Sequence, residues 1–172
     1  MRILLAAALA LPSIAFADGG DDKPPARPAT DCKGAQVFDE KSGKCVDAKE
    51  SSLDRDQLYT TVRHLAWTGR YHDAQKVLDA MDPQDPGRLT YMGFTHRKLG
   101  NTDLAMVFYQ EAIERDPANI MARSYMGQGL VEQGQVTGAI AQLQAIRRHG
   151  GHGTWSETSL RNAIATGATY NY

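Results

Sequence analysis

The sequence predicts an all-α protein in which pairs of helices recur along the chain, and three observations support this fold class. The tripeptide YMG occurs twice, with its tyrosines at Tyr91 and Tyr125. After each copy, apolar residues recur with the period of a helix, stop at a glycine and then resume with the same period. The two glycines, Gly100 and Gly134, have the same separation as the two tyrosines. The repeating unit is therefore predicted to be two antiparallel helices joined at a glycine.

The stretch from 86 to 119 shows how each element of the unit is specified. Leu89 opens the apolar pattern of the first helix, and Gly100 is suited to end that helix because glycine readily adopts the left-handed conformation. Asn101 is a favourable N-cap for the second helix. Pro117 ends the second helix, because the residue before a proline avoids the α-helical region.

Small residues stand where the paired helices must approach each other. Gly93 and Gly127 occupy corresponding positions in the two first helices, and Ala105 and Ala139 correspond in the second helices. A large side chain at such a position would overpack the contact between the helices. We therefore expect Gly93 in particular to tolerate no bulky substitution.

This arrangement resembles the tetratricopeptide repeat, a helix pair with a period of about 34 residues. In the unit at 86–119, the residues at the family's characteristic positions are Leu89, Met92, Gly93, Ala105, Tyr109, Ala112 and Pro117. The unit at 120–153 departs from the pattern at Gly151, where proline is usual, and the unit at 55–85 is three residues shorter, with Val62 in a small-residue position. The resemblance covers 54–153 and implies that three units stack into a right-handed superhelix.

A further helix is predicted at 154–167, after the third unit. Thr154 and Glu157 have the spacing of a capping box, and Gly167 is suited to end the helix. We expect this helix to cover the apolar surface that the last unit would otherwise expose. Residues 168–172 then form a short tail.

The N-terminal segment has the features of a secretory signal peptide at 1–17. Arg2 precedes an apolar run, and small residues at positions 15 and 17 fit cleavage after Ala17. The segment at 18–31 is rich in Gly, Pro and Asp and is predicted to be a disordered linker. These segments predict a periplasmic or secreted protein, and no later stretch is apolar enough to span a membrane.

Two cysteines follow the linker, in a segment at 32–47 that is predicted to be a small hairpin. In an exported protein Cys32 and Cys45 meet an oxidising compartment, which favours a structural disulfide between them. A redox pair and a metal site are the alternatives. Redox pairs are usually spaced as C-x-x-C, and a metal site would need further ligands nearby, which the segment lacks. Because a polar stretch at 47–52 follows, we expect the hairpin to be a module separable from the repeats.

The resemblance also implies a binding groove, because the first helices of tetratricopeptide repeats line a surface that holds protein or peptide partners. The residues at the family's groove positions are Tyr59, Arg63, Thr90, Phe94, Arg97, Lys98, Ser124 and Gln128. Arg63, Arg97 and Lys98 have no carboxylate to pair with in this set, so an acidic segment or a peptide C-terminus is the expected partner. Tyr59 and Phe94 would supply contact area. The alternative is an ordinary solvated face with Phe94 partly packed.

Composition and motifs disfavour other classes of function. The formal net charge is −1, whereas a nucleic-acid partner normally requires a basic face. The sequence has no H-E-x-x-H, no G-x-S-x-G and no P-loop, and His149 and His152 have no third zinc ligand beside them. We therefore expect a non-enzymatic interaction module without cofactor or metal. The alternatives are a structural or self-assembling envelope protein and, third, a metal-dependent enzyme that uses the histidines.

Overall fold

The computed structural model describes residues 30–50 and 53–170, a part of the chain in which seven helices follow a two-stranded hairpin. The strands are β1 (Gln36–Asp39) and β2 (Lys44–Asp47), and the helices are α1 (Arg55–Trp67), α2 (Tyr71–Leu78), α3 (Pro86–Lys98), α4 (Thr102–Arg115), α5 (Ile120–Glu132), α6 (Val136–Arg148) and α7 (Trp155–Thr166). The mostly helical class is confirmed. The predicted signal peptide, most of the linker and the last two residues of the tail lie outside the described residues.

The helices follow the predicted period. Helices α3 and α5 begin at Pro86 and Ile120, and α4 and α6 begin at Thr102 and Val136, so the two offsets are identical. Helices α1 and α2 begin three residues closer to their counterparts α3 and α4, which is the shortening expected in the first unit. Each first helix packs against the second helix that comes after it. The chain is thus built from three successive helix pairs and a seventh helix.

The ends of the helices show which residues determine where each helix begins and stops. Gly100 follows α3 with a φ of 85°, so the glycine is required there by its left-handed backbone. Asp116 follows α4 in an extended conformation, as expected before Pro117. Asn101 stands at the N-cap position of α4, but its side chain makes no capping hydrogen bond. The start of α4 is therefore set by the turn at Gly100 and not by the asparagine side chain.

The predicted hairpin forms from β1 and β2, which pair antiparallel, and it is closed by the disulfide between Cys32 and Cys45. Val37 of β1 is 1% exposed and belongs to the same apolar core as residues of α1 such as Val62. The Arg70 guanidinium, at the start of α2, donates to the Gly34 carbonyl over 2.6 Å. The hairpin is therefore part of the body of the protein, and our expectation that it would be a separable module is wrong. A disulfide of this kind is typical of oxidising, extracytoplasmic compartments.

Replacing Cys32 and Cys45 with serine is expected to lower the free energy of unfolding by about 2 kcal/mol, because the open loop gains conformational entropy in the unfolded chain. Val37 and Arg70 hold the hairpin in place without the disulfide, so the folded state gains little of this entropy and does not offset the loss. Urea denaturation followed by circular dichroism measures the loss. Equal midpoints for the wild type and the double serine variant would show that the disulfide does not stabilise the folded protein.

Candidate interaction face

The eight predicted groove residues lie on three first helices that pack in order. Tyr59 and Arg63 belong to α1, the four residues from Thr90 to Lys98 belong to α3, and Ser124 and Gln128 belong to α5. Helix α3 contacts both α1 and α5. We call the surface of α1, α3 and α5 that carries these eight residues the first-helix face.

Most of the first-helix face is not open to a partner. Phe94 and Gln128 are fully buried and Tyr59 is 8% exposed. The Phe94 ring centroid lies 4.8 Å from that of Tyr125 and 6.0 Å from that of Tyr91. Tyr59 meets Tyr91 edge-on with their centroids 5.6 Å apart. The expectation that Tyr59 and Phe94 would offer contact area is therefore corrected, because both rings belong to an aromatic row in the core.

The small polar residues of this face join neighbouring helices. Thr90 Oγ1 donates to the Pro86 carbonyl over 2.7 Å and accepts a hydrogen bond from Asn119 Nδ2 over 3.1 Å. Asn119 is the N-cap residue of α5, so this contact ties the start of α5 to α3. The hydroxyl oxygens of Ser124 and Ser159 lie 3.1 Å apart and join α5 to α7. Thr90 and Ser124 thus serve packing between helices.

Arg97 has a carboxylate partner that sequence reasoning missed. Its Nη1 atom donates to Glu132 Oε1 over 2.7 Å, and its side chain is only 1% exposed. Burial opposes the charge of Arg97, but Tyr109 and Glu132 raise the pKa of its guanidinium above the ordinary value. Glu132 stands one repeat period after Lys98, at the end of the next first helix. That correspondence was the signal by which the sequence could have revealed the pair.

The end of the described chain crosses the same face. After α7, the Thr169 hydroxyl donates to Glu132 Oε1 over 2.6 Å, and the backbone N–H of Tyr170 donates to Gln128 Oε1 over 2.8 Å. Residues 168–170, which we call the tail segment, therefore lie against the last two turns of α5. The family pattern gave no sign of this contact, because it describes the repeat units and not the residues after the last unit.

The accessible cations of the face lie towards α1 and the end of α3. Arg55 is 53% exposed, stacks over the Tyr59 ring at 4.7 Å and donates to Asp85 Oδ2 over 2.7 Å. Burial opposes the charge of Asp85, but hydrogen bonds from Arg55 and from the Arg88 backbone lower its pKa overall. Arg63 and Lys98 are partly exposed. Burial, together with the neighbouring Arg97, lowers the pKa of Lys98.

The histidines do not form a metal centre in the part of the chain that the structure describes. His96 stacks on Phe108 with their ring centroids 5.4 Å apart, and burial lowers the pKa of its imidazole. His149 and His152 are exposed. Across residues 30–50 and 53–170, no three His, Cys, Asp or Glu side chains come together as metal ligands would. No helix in these ranges has the length and apolar character needed to cross a bilayer.

The seventh helix begins with a modified capping box. Thr154 Oγ1 accepts a hydrogen bond from the Glu157 N–H over 3.3 Å, as predicted. The Glu157 carboxylate accepts a hydrogen bond from the N–H of Gly153 over 2.9 Å, whereas a regular capping box would use the N–H of Thr154. The same carboxylate, with a side chain only 3% exposed, accepts from Arg147 Nε over 2.8 Å. The hydrogen bond from Gly153 and the one from Arg147 lower the pKa of Glu157. This carboxylate therefore joins α7 to α6.

Because its pKa is lowered in the folded state, Glu157 stabilises the protein above its unfolded pKa of about 4.3, and this stabilisation is lost as the pH falls through the lower folded value. The variant Glu157→Gln is expected to melt about 3 °C below the wild type at pH 7, and the difference should shrink towards pH 3. Thermal denaturation at a series of pH values tests this. Glu114→Gln, on the exposed side of α4, is the matched control, and a difference that grew on acidification would contradict the assignment.

Comparison of the chain with protein-family models and with curated proteins finds no match.

Proposed function

We propose that this protein is an exported, non-enzymatic interaction module of the tetratricopeptide type. In this proposal the three helix pairs form a right-handed superhelix, α7 closes its end, and the first-helix face holds a protein or peptide partner. The observation that carries the proposal is the identical offset of α3 from α5 and of α4 from α6. Stacked helix pairs with a fixed period provide a preformed surface for a partner, which lowers the entropy lost on binding. The disulfide supports the exported location.

The proposed partner is acidic, because Arg63 and Lys98, the accessible ionic groups among the eight residues that define the face, are cationic. Arg63 and Lys98 are partly exposed on α1 and α3, and Arg55 extends the positive region although Asp85 neutralises part of its charge. Arg97 is excluded from direct contact, since its side chain is buried and paired with Glu132. Complementary charge would steer an acidic segment to the face and set its orientation.

The test of this proposal is capture with charge-reversal variants. The double variant Arg63→Glu and Lys98→Glu is expected to lose the partners that the wild-type protein captures from an envelope extract. Both residues are partly exposed, so the variant should keep its helical circular dichroism signal, which Arg97→Glu would not. Capture by the wild type should weaken as salt rises, because exposed charges are screened beyond about 8–10 Å at physiological ionic strength.

Glu111→Lys is the control, since this residue lies on the second helix α4 and is not one of the residues of the first-helix face. This variant should capture the same set of proteins as the wild type. Mass spectrometry compares the proteins bound to the three baits. Identical sets from the wild type and the double variant would remove the first-helix face as the binding surface.

A second candidate, self-association, is favoured by exposed apolar residues on the second helices. Leu104 and Val107 of α4 are 44% and 60% exposed, and Val136 and Ile140 of α6 are each 42% exposed. Large apolar side chains exposed on two successive second helices are typical of surfaces that another chain covers. A mass that rises with concentration in sedimentation, and that Val107→Lys returns to the monomer value, would support this role.

A further inference from the structure

The tail segment is held by two acceptors that stand one helical turn apart on α5. Gln128 Oε1 receives the backbone N–H of Tyr170, and Glu132 Oε1 receives the hydroxyl of Thr169. Side chains four residues apart on a helix lie on one side of it, so the two acceptors form a short row. The row binds two consecutive residues, Thr169 and Tyr170, which follow α7 and are not helical.

The acceptor row is fixed before the tail segment binds to it. Gln128 Nε2 donates to Ser124 Oγ over 3.4 Å, and this contact directs the amide oxygen of Gln128 towards Tyr170. Glu132 is positioned by the buried Arg97 guanidinium, which donates over 2.7 Å to Glu132 Oε1, the oxygen that also accepts from Thr169. Preorganised acceptors lose little conformational entropy when they bind a donor.

The tail segment can detach from α5 without disturbing the packing of α7. Helix α7 ends at Gly167, whose φ of 75° turns the chain away from the helix axis. Ala168 is exposed, and Thr169 and Tyr170 are only partly buried. Neither Thr169 nor Tyr170 belongs to any of the apolar core clusters among the described residues. Release of these residues would therefore leave the contacts of α7 with α5 and α6 intact.

We infer that the tail segment is an intramolecular occupant of the α5 end of the first-helix face, and that this end takes an extended polypeptide with a serine or threonine followed by any residue except proline. The inference rests on the proposed function, for which it names the ligand chemistry. The serine or threonine supplies the hydroxyl that Glu132 accepts. The next residue supplies the N–H that Gln128 accepts, which proline lacks. A partner in trans binds only where it displaces the tail segment, whose attachment gives it an effective concentration on the order of millimolar.

The first experiment asks whether the tail segment occupies the row in the full chain. Amide hydrogen exchange at Tyr170, measured by nuclear magnetic resonance, should be slower in the wild type than in a free peptide. Thr169→Val removes the hydroxyl and should reduce this protection about tenfold, which corresponds to about 1.4 kcal/mol. Thr169→Ser keeps the hydroxyl and should retain the protection. Free-peptide exchange at Tyr170 in the wild type would overturn the inference.

The second experiment asks whether the row accepts a chain in trans. The probe is the blocked tetrapeptide acetyl-Gly-Ala-Thr-Tyr-amide, which has the sequence of residues 167–170. It is titrated into the wild type and into Thr169→Val with Tyr170→Pro, a full-length variant with a released tail segment. The side-chain amide resonances of Gln128 should shift at millimolar peptide in the variant and require at least tenfold more peptide in the wild type. Acetyl-Gly-Ala-Thr-Pro-amide should produce no shift.

Equal titration of the two proteins would show that the tail segment does not occupy the site, and no shift in the variant would show that the row takes no peptide. Either result overturns the inference. The proposed function fails separately, through the capture experiment with Arg63→Glu and Lys98→Glu. Since a synthetic peptide replaces the unidentified partner in the titration, the two failures are distinguishable.

Discussion

Replacement of Gly93 with leucine is expected to lower the free energy of unfolding by about 3 kcal/mol or more. A Cβ atom at Gly93 would lie 2.6 Å from both Cδ1 and Cε1 of Tyr109. The Tyr109 ring has no room to withdraw, because it is fully buried and faces the ring of Tyr125 with their centroids 6.5 Å apart. The substitution must therefore separate α3 from α4. Urea denaturation followed by circular dichroism measures the loss.

Gly138→Ala provides the matched control inside a helix. A Cβ there would meet Leu130 Cδ1 at 3.2 Å, at the far end of a flexible and partly exposed side chain. Alanine is favoured over glycine in a helix interior by about 1 kcal/mol, so Gly138→Ala should be neutral or slightly stabilising. If Gly93→Leu unfolded at the same urea concentration as the wild type, α3 and α4 would not touch at Gly93.

Removal of the Glu132 carboxylate is expected to cost about 3 kcal/mol, because it leaves Arg97 charged and unpaired in the interior. The Arg97 side chain is 1% exposed, so water cannot take over the role of the lost partner. The double variant Arg97→Met with Glu132→Ala should recover most of the loss, since neither charge then remains. Chemical denaturation of Glu132→Ala and of the double variant tests both statements.

Thr169→Val separates the role of the tail segment from that of the ion pair. It removes only the hydroxyl that Glu132 accepts and should cost about 1 kcal/mol. If Glu132→Ala were no more destabilising than Thr169→Val, the pairing of Arg97 with Glu132 would contribute nothing to stability. If the double variant were worse than Glu132→Ala, the arginine would be needed for its packing and not for its charge.

The regular part of the fold could be predicted from the sequence because its signals are local. The repeated YMG spacing, Gly100 and Pro117 each act within a few residues of the backbone they control, and the helices begin and end where these signals predict. The hairpin strands and the disulfide follow from an equally local pattern. Asn101 shows the limit, since the residue is at the N-cap position while its side chain makes no capping bond.

The candidate site was predicted less well because the burial and pairing of its side chains depend on contacts between units and with the residues after α7. The family pattern placed Phe94, Arg97 and Gln128 on the correct helices. It did not reveal that an aromatic row covers Phe94, that Glu132 pairs with Arg97 or that Tyr170 binds Gln128. The last two contacts join residues 35 and 42 positions apart, beyond any local signal.

The side chain that faces Gly93 has a consequence for how the row of helix pairs ends. In the middle unit the space above Gly93 is filled by Tyr109, from the same helix pair. In the last unit Leu143 stands in place of this tyrosine, and the space above Gly127 is filled instead by Leu160 of α7.

A tyrosine at this position fills the space within its own helix pair, whereas the leucine leaves that space to a side chain of the following helix. Helix α5 is therefore completed at Gly127 by α7 and not by its own partner α6. A chain cut before Thr154 would uncover Gly127 inside the last pair, whereas the pair of α3 and α4 carries its own filling at Gly93.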